Sequence, residues 1–155
     1  MRRSDRALTE KQDLFDILTE ATVCRLALAD TPCPYIVPLN FGFDWVDTPL
    51  LYFHCANAGR KLELLAKSPL VGFELDVGHR LIEAASPCNW SMRYKSIIGR
   101  GTVGTIEDDG ERLYGLCRIM AHYGFVGTPD FDAMELRKTV VLRMIVQEMT
   151  GKQKR

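Results

Sequence analysis

Apolar residues recur along this chain with two different periods, which divide it into helices and strands. Residues 10–20 carry apolar side chains at helical spacing, and Thr9 with Gln12 predicts a capping box at the start of that helix. Alternating residues and short apolar runs bounded by turn residues predict strands. The predicted strands cover residues 23–29, 35–43, 50–55, 70–76, 94–107 and 139–149. The other predicted helices start at Arg60, run from about 108 to 123, and cover 132–137.

The alternation is clearest between residues 35 and 43. One face of this extended segment carries Tyr35, Val37, Leu39, Phe41 and Phe43. Pro38 lies inside the pattern, and because proline cannot donate a ladder hydrogen bond, we expect an edge strand or a bulge there. Residues 50–55 are expected to pair with this segment as a hairpin. We expect exposed Phe41 and Phe43 side chains to supply apolar surface for a subunit contact.

The order of these elements predicts the architecture. Strands joined mainly by hairpins, with helices as lids, are typical of an antiparallel β-barrel with flanking α-helices. Within the strand at 94–107, Gly99, Gly101 and Gly104 predict the bulges or bends that barrels need. Residues 77–92 lack periodicity and are expected to form a loop with at most a short helical turn. No repeat or linker divides the chain, so one domain over 1–155 is expected.

The composition excludes several classes of function. Twenty basic residues balance twenty acidic ones, so no global positive field favours a nucleic-acid partner. The five cysteines are scattered without a C-x-x-C pair, which favours free thiols in a reducing cytoplasm. No apolar stretch approaches the ~20 residues of a membrane span. We therefore expect a soluble, cytoplasmic protein with neither a nucleic-acid nor a membrane partner.

The strongest indication of a ligand is the sequence Gly59-Arg60-Lys61. It places two cations in the first turn of a predicted helix, where the helix macrodipole is already positive. A bound anion such as a phosphate would remove this conflict. His54, just before the turn, supplies a third possible donor. A solvated helix start and a structural histidine are the alternatives that the residues leave open.

Three further features bear on a ligand site. Val37-Pro38-Leu39-Asn40 can present free backbone groups and the Asn40 amide to a flat ligand, or can simply mark an edge strand. The hydroxyl of Ser96 could reach a phosphate, or could lie on the outer face of its strand. Cys55 and His54 do not suggest a metal site, since successive strand residues point to opposite faces. No catalytic triad, dinucleotide-binding glycine motif or phosphate loop is present.

Four blocks of sequence, in order and spacing, resemble the pyridoxamine 5'-phosphate oxidase-like flavoproteins, and most closely their nitroimidazole-resistance branch. The blocks are Tyr35-Ile36-Val37-Pro38-Leu39-Asn40-Phe41-Gly42, Leu51-Tyr52-Phe53-His54-Cys55-Ala56, Gly59-Arg60-Lys61 and Ser96-Ile97-Ile98-Gly99-Arg100-Gly101. Met1-Arg2-Arg3 with Asp5-Arg6, and Cys24-Arg25-Leu26-Ala27, also match that branch. The resemblance covers nearly the whole chain and weakens after Tyr123.

The resemblance implies a split β-barrel that binds FMN at a homodimer interface. Its isoalloxazine would lie along residues 37–40, that is Val37, Pro38, Leu39 and Asn40. Its phosphate would be held by residues matching His54, Ala56, Gly59, Arg60 and Lys61, and Ser96 matches a position near the cofactor. The flavin itself would carry the electrons, so the protein needs no acid or base. His54 is the one residue we put forward as catalytic, as a proton donor or substrate contact.

Three functions follow from this resemblance. The first is an FMN-dependent oxidoreductase that transfers electrons from NAD(P)H to a small electron-poor acceptor, such as a nitroaromatic. The second is a non-enzymatic module that binds flavin or haem, with His54 as a possible axial ligand. The third is a deazaflavin-dependent reductase on the same barrel. The physiological substrate and the electron donor do not follow from the sequence.

Overall fold

The structure, a computed structural model, describes residues 4–155. The amino-terminal block Met1-Arg2-Arg3 of the family resemblance lies outside the described residues. The strands are β1 (Ala7–Leu8), β2 (Cys24–Leu28), β3 (Tyr35–Leu39), β4 (Gly42–Trp45), β5 (Pro49–Ala56), β6 (Leu70–Ile82), β7 (Ser91–Thr105) and β8 (Thr139–Lys154). The helices are α1 (Lys11–Glu20), α2 (Arg60–Lys67), α3 (Asp109–His122) and α4 (Ala133–Lys138), with short 3₁₀ turns at Ser4–Arg6 and Pro87–Asn89.

The strands form one antiparallel sheet in the order β3-β2-β6-β7-β8-β5-β4, with β1 paired to β8. The two ends of this order, β3 and β4, are joined through Asn40 and Phe41 alone. This connection brings the sheet ends together, as a split barrel requires. The predicted antiparallel β-barrel with flanking helices is confirmed.

The core lies inside the barrel, and strand alternation directs side chains into it. In β2, Cys24, Leu26 and Leu28 are at most 1% exposed, as their spacing predicts. Burying each such leucine contributes roughly 1.5–3 kcal/mol. The helix α1 adds Leu14, Ile17 and Leu18 to the same core. Its predicted capping box is wrong, because Glu10 is the N-cap residue and makes no side-chain capping bond.

Of the three glycines predicted to mark bulges or bends in β7, Gly101 lies at a register shift and Gly99 at a close approach to β8. The β7–β8 pairing shifts register between Arg100 and Gly101. A Cβ on Gly101 would lie 2.4 Å from the Ile145 carbonyl oxygen, and one on Gly99 would lie 2.5 Å from that of Glu148. Only glycine therefore permits this approach of β8 to β7. Gly104 has open space around its Cβ direction, so it marks no close approach.

The structure corrects two predicted boundaries. The loop predicted over 77–92 is shorter than expected, since β6 continues to Ile82 and β7 begins at Ser91; residues 83–90 form the connection and contain the short 3₁₀ turn at Pro87–Asn89. The pairing of β6 with β7 shifts register between Val77 and Arg80 and then continues to Ile82 and Ser91. Gly78, whose φ is 66°, lies at this shift. The main-chain hydrogen bonds between β6 and β7 form whether or not apolar side chains alternate along the strands. The spacing of apolar residues therefore did not predict this part of the β6–β7 hairpin. The expected single strand at 35–43 is instead β3 and β4.

Phe41 and Phe43 are not exposed, so the prediction that they supply a subunit contact is wrong. Phe41 is 0% and Phe43 7% exposed. The ring of His122 in α3 lies 4.5 Å from the Phe41 ring, and the Phe15 ring lies 5.3 Å from the Phe43 ring. The helix layer covers this part of the barrel, which periodicity within one strand cannot reveal.

Candidate functional site

The turn between β5 and α2 is built around Gly59. Its φ of 134° is a backbone conformation that L side chains rarely adopt, and no atom obstructs its Cβ direction. The N–H groups of Leu62 and Glu63 donate to the Gly59 carbonyl at 3.0 and 3.3 Å, and no side chain caps the helix. The predicted helix start at Arg60 is confirmed, and α2 ends at Lys67 with Ser68 as its C-cap residue. The turn is exposed and sterically open to a ligand.

Arg60 is paired with a carboxylate of the protein. Its Nε donates to Asp30 Oδ2 at 3.0 Å, and a second guanidinium nitrogen donates to the same oxygen. The Arg60 hydrogen bond, aided by the Thr31 N–H, lowers the pKa of Asp30, and the same bond raises the pKa of Arg60. The sequence argument invoked only an external anion for this cation. Asp30, in the β2–β3 turn, is the residue that it missed.

Lys61 is the second cation of the turn. It is half-buried, and its positive charge acts on the neighbouring Cys55 thiol. Burial nevertheless raises the pKa of Cys55 more strongly than Lys61 lowers it. Within residues 4–155, no carboxylate lies within ion-pair distance of the Lys61 ammonium group. An anion at the turn would therefore meet one unpaired and one paired cation.

The strand β3 lies at one end of the sheet order, so the edge strand predicted from Pro38 is confirmed. Val37 and Leu39 are half-buried and pack on the core, whereas Pro38 and Asn40 are exposed. Asn40 belongs to the short connection to β4. The next N–H, of Phe41, donates to the Tyr123 hydroxyl at 3.3 Å. That hydroxyl donates in turn to the Thr22 carbonyl, so the residue that follows α3 fixes the connection.

His54 and Ala56 lie at the exposed carboxyl end of β5. In the β5–β8 register His54 is opposite Val141 and Ala56 opposite Thr139. The His54 ring faces the helix layer and borders a cavity of about 180 Å³ beside α3 and α4. Among the described side chains, none makes a hydrogen bond or ion pair with it.

Ser96 lies elsewhere on the sheet. It is half-buried in β7, opposite Asp76 of β6 and Lys152 of β8. Because β8 separates β7 from β5, the structure does not bring Ser96 next to the Gly59 turn within one protomer. Its cross-strand neighbour Asp76 belongs to a chain of charged side chains.

That chain of charges runs across β2 and β6. Arg25 donates to Asp76 at 2.8 Å and to Glu74 at 3.1 Å, and His79 Nε2 lies 2.7 Å from Asp76. Burial and the nearby Asp76 charge raise the pKa of Glu74. The two carboxylates, which share one face of β6, therefore hold Arg25 in place.

Within the part of the chain that the structure describes, neither a metal-binding cluster nor a membrane-spanning helix is found. No group of three or more His, Cys, Asp or Glu side chains is arranged to hold a metal ion there. Nor does any described helix have the length and apolar character needed to cross a membrane.

The barrel and its glycine turn place this chain among the split β-barrel proteins. The sequence profile of the pyridoxamine 5'-phosphate oxidase family matches residues 10–153, so the chain belongs to that family, as the resemblance implies. A search of curated proteins finds no match.

Solved structures agree with this assignment. A candidate 5-nitroimidazole antibiotic resistance protein from Bacteroides thetaiotaomicron is 32% identical, with a TM-score of 0.82 over 95% of this chain and 86% of that one. The flavocytochrome Anf3 from Azotobacter vinelandii is 18% identical, with a TM-score of 0.81 over 100% and 72%. An FAD- and haem-binding protein from Mycobacterium smegmatis is 22% identical, with a TM-score of 0.78 over 96% and 73%. The last two likenesses show the fold.

Proposed function

We propose that this chain is an FMN-dependent oxidoreductase that transfers electrons from NAD(P)H to a small electron-poor acceptor of the nitroaromatic type. The observation that carries the proposal is the open, uncapped Gly59 turn with Arg60 and Lys61. It occurs in a chain that is 32% identical to a candidate 5-nitroimidazole resistance protein. When bound, the flavin would supply the electron transfer between donor and acceptor.

The residues of the turn fit a flavin phosphate. A phosphate monoester carries about −1.5 to −2 charge at neutral pH, which the two cations Arg60 and Lys61 match. The free N–H groups of the α2 amino terminus add directed donors. Ala56 and Gly59 leave room for the group, and His54 can donate from the end of β5. Arg60 would share its donors between the phosphate and Asp30.

The ring system would lie along the exposed edge of β3. Pro38 and Asn40 face outward there, while Val37 and Leu39 anchor the strand to the core. In this arrangement β3 supplies backbone groups and the connection to β4 supplies the Asn40 amide, while the Tyr123 hydroxyl holds that connection in position. His54 would act as a proton donor or substrate contact, which is the one catalytic role that we assign.

A homodimer with the cofactor at its interface accounts for the position of Ser96, which is remote from the turn within one protomer. The outer face of β3, β2, β6 and β7, where exposed aliphatic side chains lie beside the Arg25–Glu74 ion pair, would form that interface. Ile36 is 63% and Ile98 62% exposed, and both border a shallow depression of about 360 Å³. Exposed aliphatic side chains clustered on one sheet face favour association.

A haem-binding module is the second candidate, and the specific observation in its favour is the exposed His54 ring without a described partner. The imidazole would be an axial ligand. Addition of haem would then produce a Soret band that a His54→Ala variant loses. A deazaflavin-dependent reductase would instead bind deazaflavin more tightly than FMN.

Turnover tests the oxidoreductase proposal. The FMN-loaded protein should oxidise NADH or NADPH at a rate that saturates with a nitroaromatic acceptor. The Arg60→Ala variant should recover activity only at higher FMN concentration. Flavin bound without any turnover, with either donor, would contradict the enzymatic role and favour the binding module.

A further inference from the structure

An open hollow lies where β6 and β7 leave the barrel, beside the end of α1. Its volume is about 420 Å³, and it is lined by Glu20 of α1, Gly78 of β6, residues 93–95 of β7 and residues 153–155. Sites for small molecules usually measure about 300–1,000 Å³. The hollow therefore has the volume of a small-molecule site.

The hollow opens on the opposite side of β7 from Ser96. Successive strand residues point to opposite faces, so Arg93 and Lys95 share the face of Ile97, which is buried in the core. Lys95 lies opposite the buried Val77 of β6. Past Val77 this face leaves the core, since both cations are exposed. The hollow is thus distinct from the outer sheet face that is proposed as a subunit interface.

Positive charge dominates the hollow. Arg93, Lys95, Lys154 and Arg155 line it, and Glu20 is the one carboxylate side chain among the lining residues. Glu20 ends α1, and the carboxyl end of a helix adds a partial charge of about −0.5. These two negative contributions offset only part of the four positive charges. The hollow therefore attracts anions.

The protein itself does not neutralise these cations. Within residues 4–155, the ion pairs of β6 and β7 include neither Arg93 nor Lys95. Arg80 lies directly opposite Arg93 in the β6–β7 register, and like charges in a cross-strand pair repel each other. The Lys154 ammonium group donates to the neutral Ser91 hydroxyl. A bound anion would offset the repulsion that the fold leaves in place.

The side chains of the hollow indicate which anion it would bind. The Arg93 guanidinium can bind a phosphate through two parallel hydrogen bonds, and Lys95 adds a compact positive charge. A phosphate monoester carries about −1.5 to −2 charge at neutral pH, which suits the excess of cations. The Tyr94 ring also lines the hollow and offers a face to an organic ring. A nucleic acid fits less well, because the chain as a whole has no net charge.

From these observations we propose that the hollow is a second ligand site, which binds a small phosphorylated molecule. Arg93 and Lys95 hold its phosphate, and Tyr94 contacts its organic part. The inference does not rest on the proposed flavin site, because the hollow shares no lining residue with the Gly59 turn or with β3.

Amide NMR spectra of the isotope-labelled protein test the inference, with adenosine 5'-monophosphate (AMP) as the probe. The Gly78 amide should shift and saturate as AMP is added, because Gly78 lines the hollow. The Gly59 amide reports separately on the phosphate turn. Adenosine, which lacks the phosphate, should bind at least about tenfold more weakly than AMP.

Substitutions of exposed side chains identify the groups that bind the probe. Arg93→Gln and Lys95→Gln should each weaken AMP binding about three- to tenfold, and the double variant should abolish saturation at Gly78. Glu20→Gln should strengthen binding about two- to fourfold, because it removes a repelling carboxylate. Arg100→Gln is the matched control and should leave AMP binding unchanged. Arg100 is an exposed cation of the same strand that pairs with Glu148 and does not line the hollow.

Three outcomes would overturn the inference. The first is an Arg93→Gln/Lys95→Gln variant that binds AMP as wild type does. The second is an AMP response confined to the Gly59 amide, which leaves the proposed function intact. The third is a single-stranded oligonucleotide that binds the hollow far more tightly than AMP, which would make the hollow a nucleic-acid site. A protein that binds AMP at Gly78 but takes up no flavin would instead overturn the proposed function alone.

Discussion

Replacing Gly42 with alanine is expected to destabilise the fold, because the backbone of α3 lies directly over this position of β4. A Cβ on Gly42 would lie 2.4 Å from Arg118 C and from Ile119 N, where ordinary contact begins at 3.4 Å. Both atoms belong to the helix backbone, which cannot rotate aside. The helix α3 would therefore have to move by about 1 Å. The same movement would disturb the Arg118 guanidinium, which donates to the Phe43 carbonyl at 2.7 and 3.0 Å.

The magnitude follows from two opposing effects. Overpacking of this kind costs about 1–3 kcal/mol, and the backbone contact places Gly42→Ala at the upper end. Alanine recovers about 0.4–1 kcal/mol by restricting the unfolded chain. The free energy of unfolding should thus fall by about 2 kcal/mol, which lowers the midpoint of urea unfolding by about 1 M.

Urea unfolding followed by tryptophan fluorescence and by far-ultraviolet circular dichroism measures this change. Gly104→Ala is the matched control, since nothing lies within 4 Å of a Cβ there. It should leave the midpoint unchanged or raise it slightly. If Gly42→Ala matches Gly104→Ala, the packing of α3 against β4 described above is incorrect.

Four other substitutions test the site, the interface and a half-buried histidine. Arg60→Ala should weaken FMN binding about ten- to hundredfold, whereas Asp30→Asn should strengthen it roughly a few-fold by releasing Arg60; flavin fluorescence titration measures both. Ile98→Glu should convert a dimer to a monomer, as measured by light scattering after gel filtration. Burial lowers the pKa of His122, so its contribution to stability is present above pH 6.5 and is lost as the pH falls through and below that value. A His122→Gln variant should therefore lose less stability than wild type between about pH 7.5 and 5.5.

The outcomes that contradict these expectations are specific. Asp30→Asn binding FMN more weakly than wild type would show that Asp30 supports the phosphate site. A dimer that survives Ile98→Glu, with the loop variant Val126→Glu as control, would exclude that sheet face as the interface. Parallel pH profiles for wild type and His122→Gln would show that the imidazole near Ala21 titrates normally.

Local patterns predicted most of the elements because burial follows periodicity within a strand or helix. Pro38 predicts an edge strand from its missing N–H alone, and Asp108 and Asp132 cap α3 and α4 where acidic residues precede apolar runs. The same reasoning failed for Phe41, whose burial depends on a helix that begins at Asp109. A contact between two segments that are distant in sequence does not change the spacing of apolar residues in either segment. That spacing therefore cannot predict the contact.

The sequence predicted those parts of the candidate site whose residues are adjacent in the chain, and did not predict the parts that folding brings together. The cations of the Gly59 turn are adjacent in sequence, so electrostatics at one helix end identified them. Asp30 comes from a turn distant in sequence, and only the folded chain pairs it with Arg60. The cavity beside His54 likewise needs α3 and α4 to be assembled over β5, so its existence could not be predicted.

The absorption spectrum of the freshly purified protein tests the central claim most directly. A flavin held by the Gly59 turn and the β3 edge predicts visible flavin absorption bands that remain after gel filtration and bleach on addition of a reductant. An Arg60→Ala protein purified in the same way should carry much less of this colour. A colourless wild-type protein that takes up no flavin, or a spectrum dominated by a Soret band, would contradict the account.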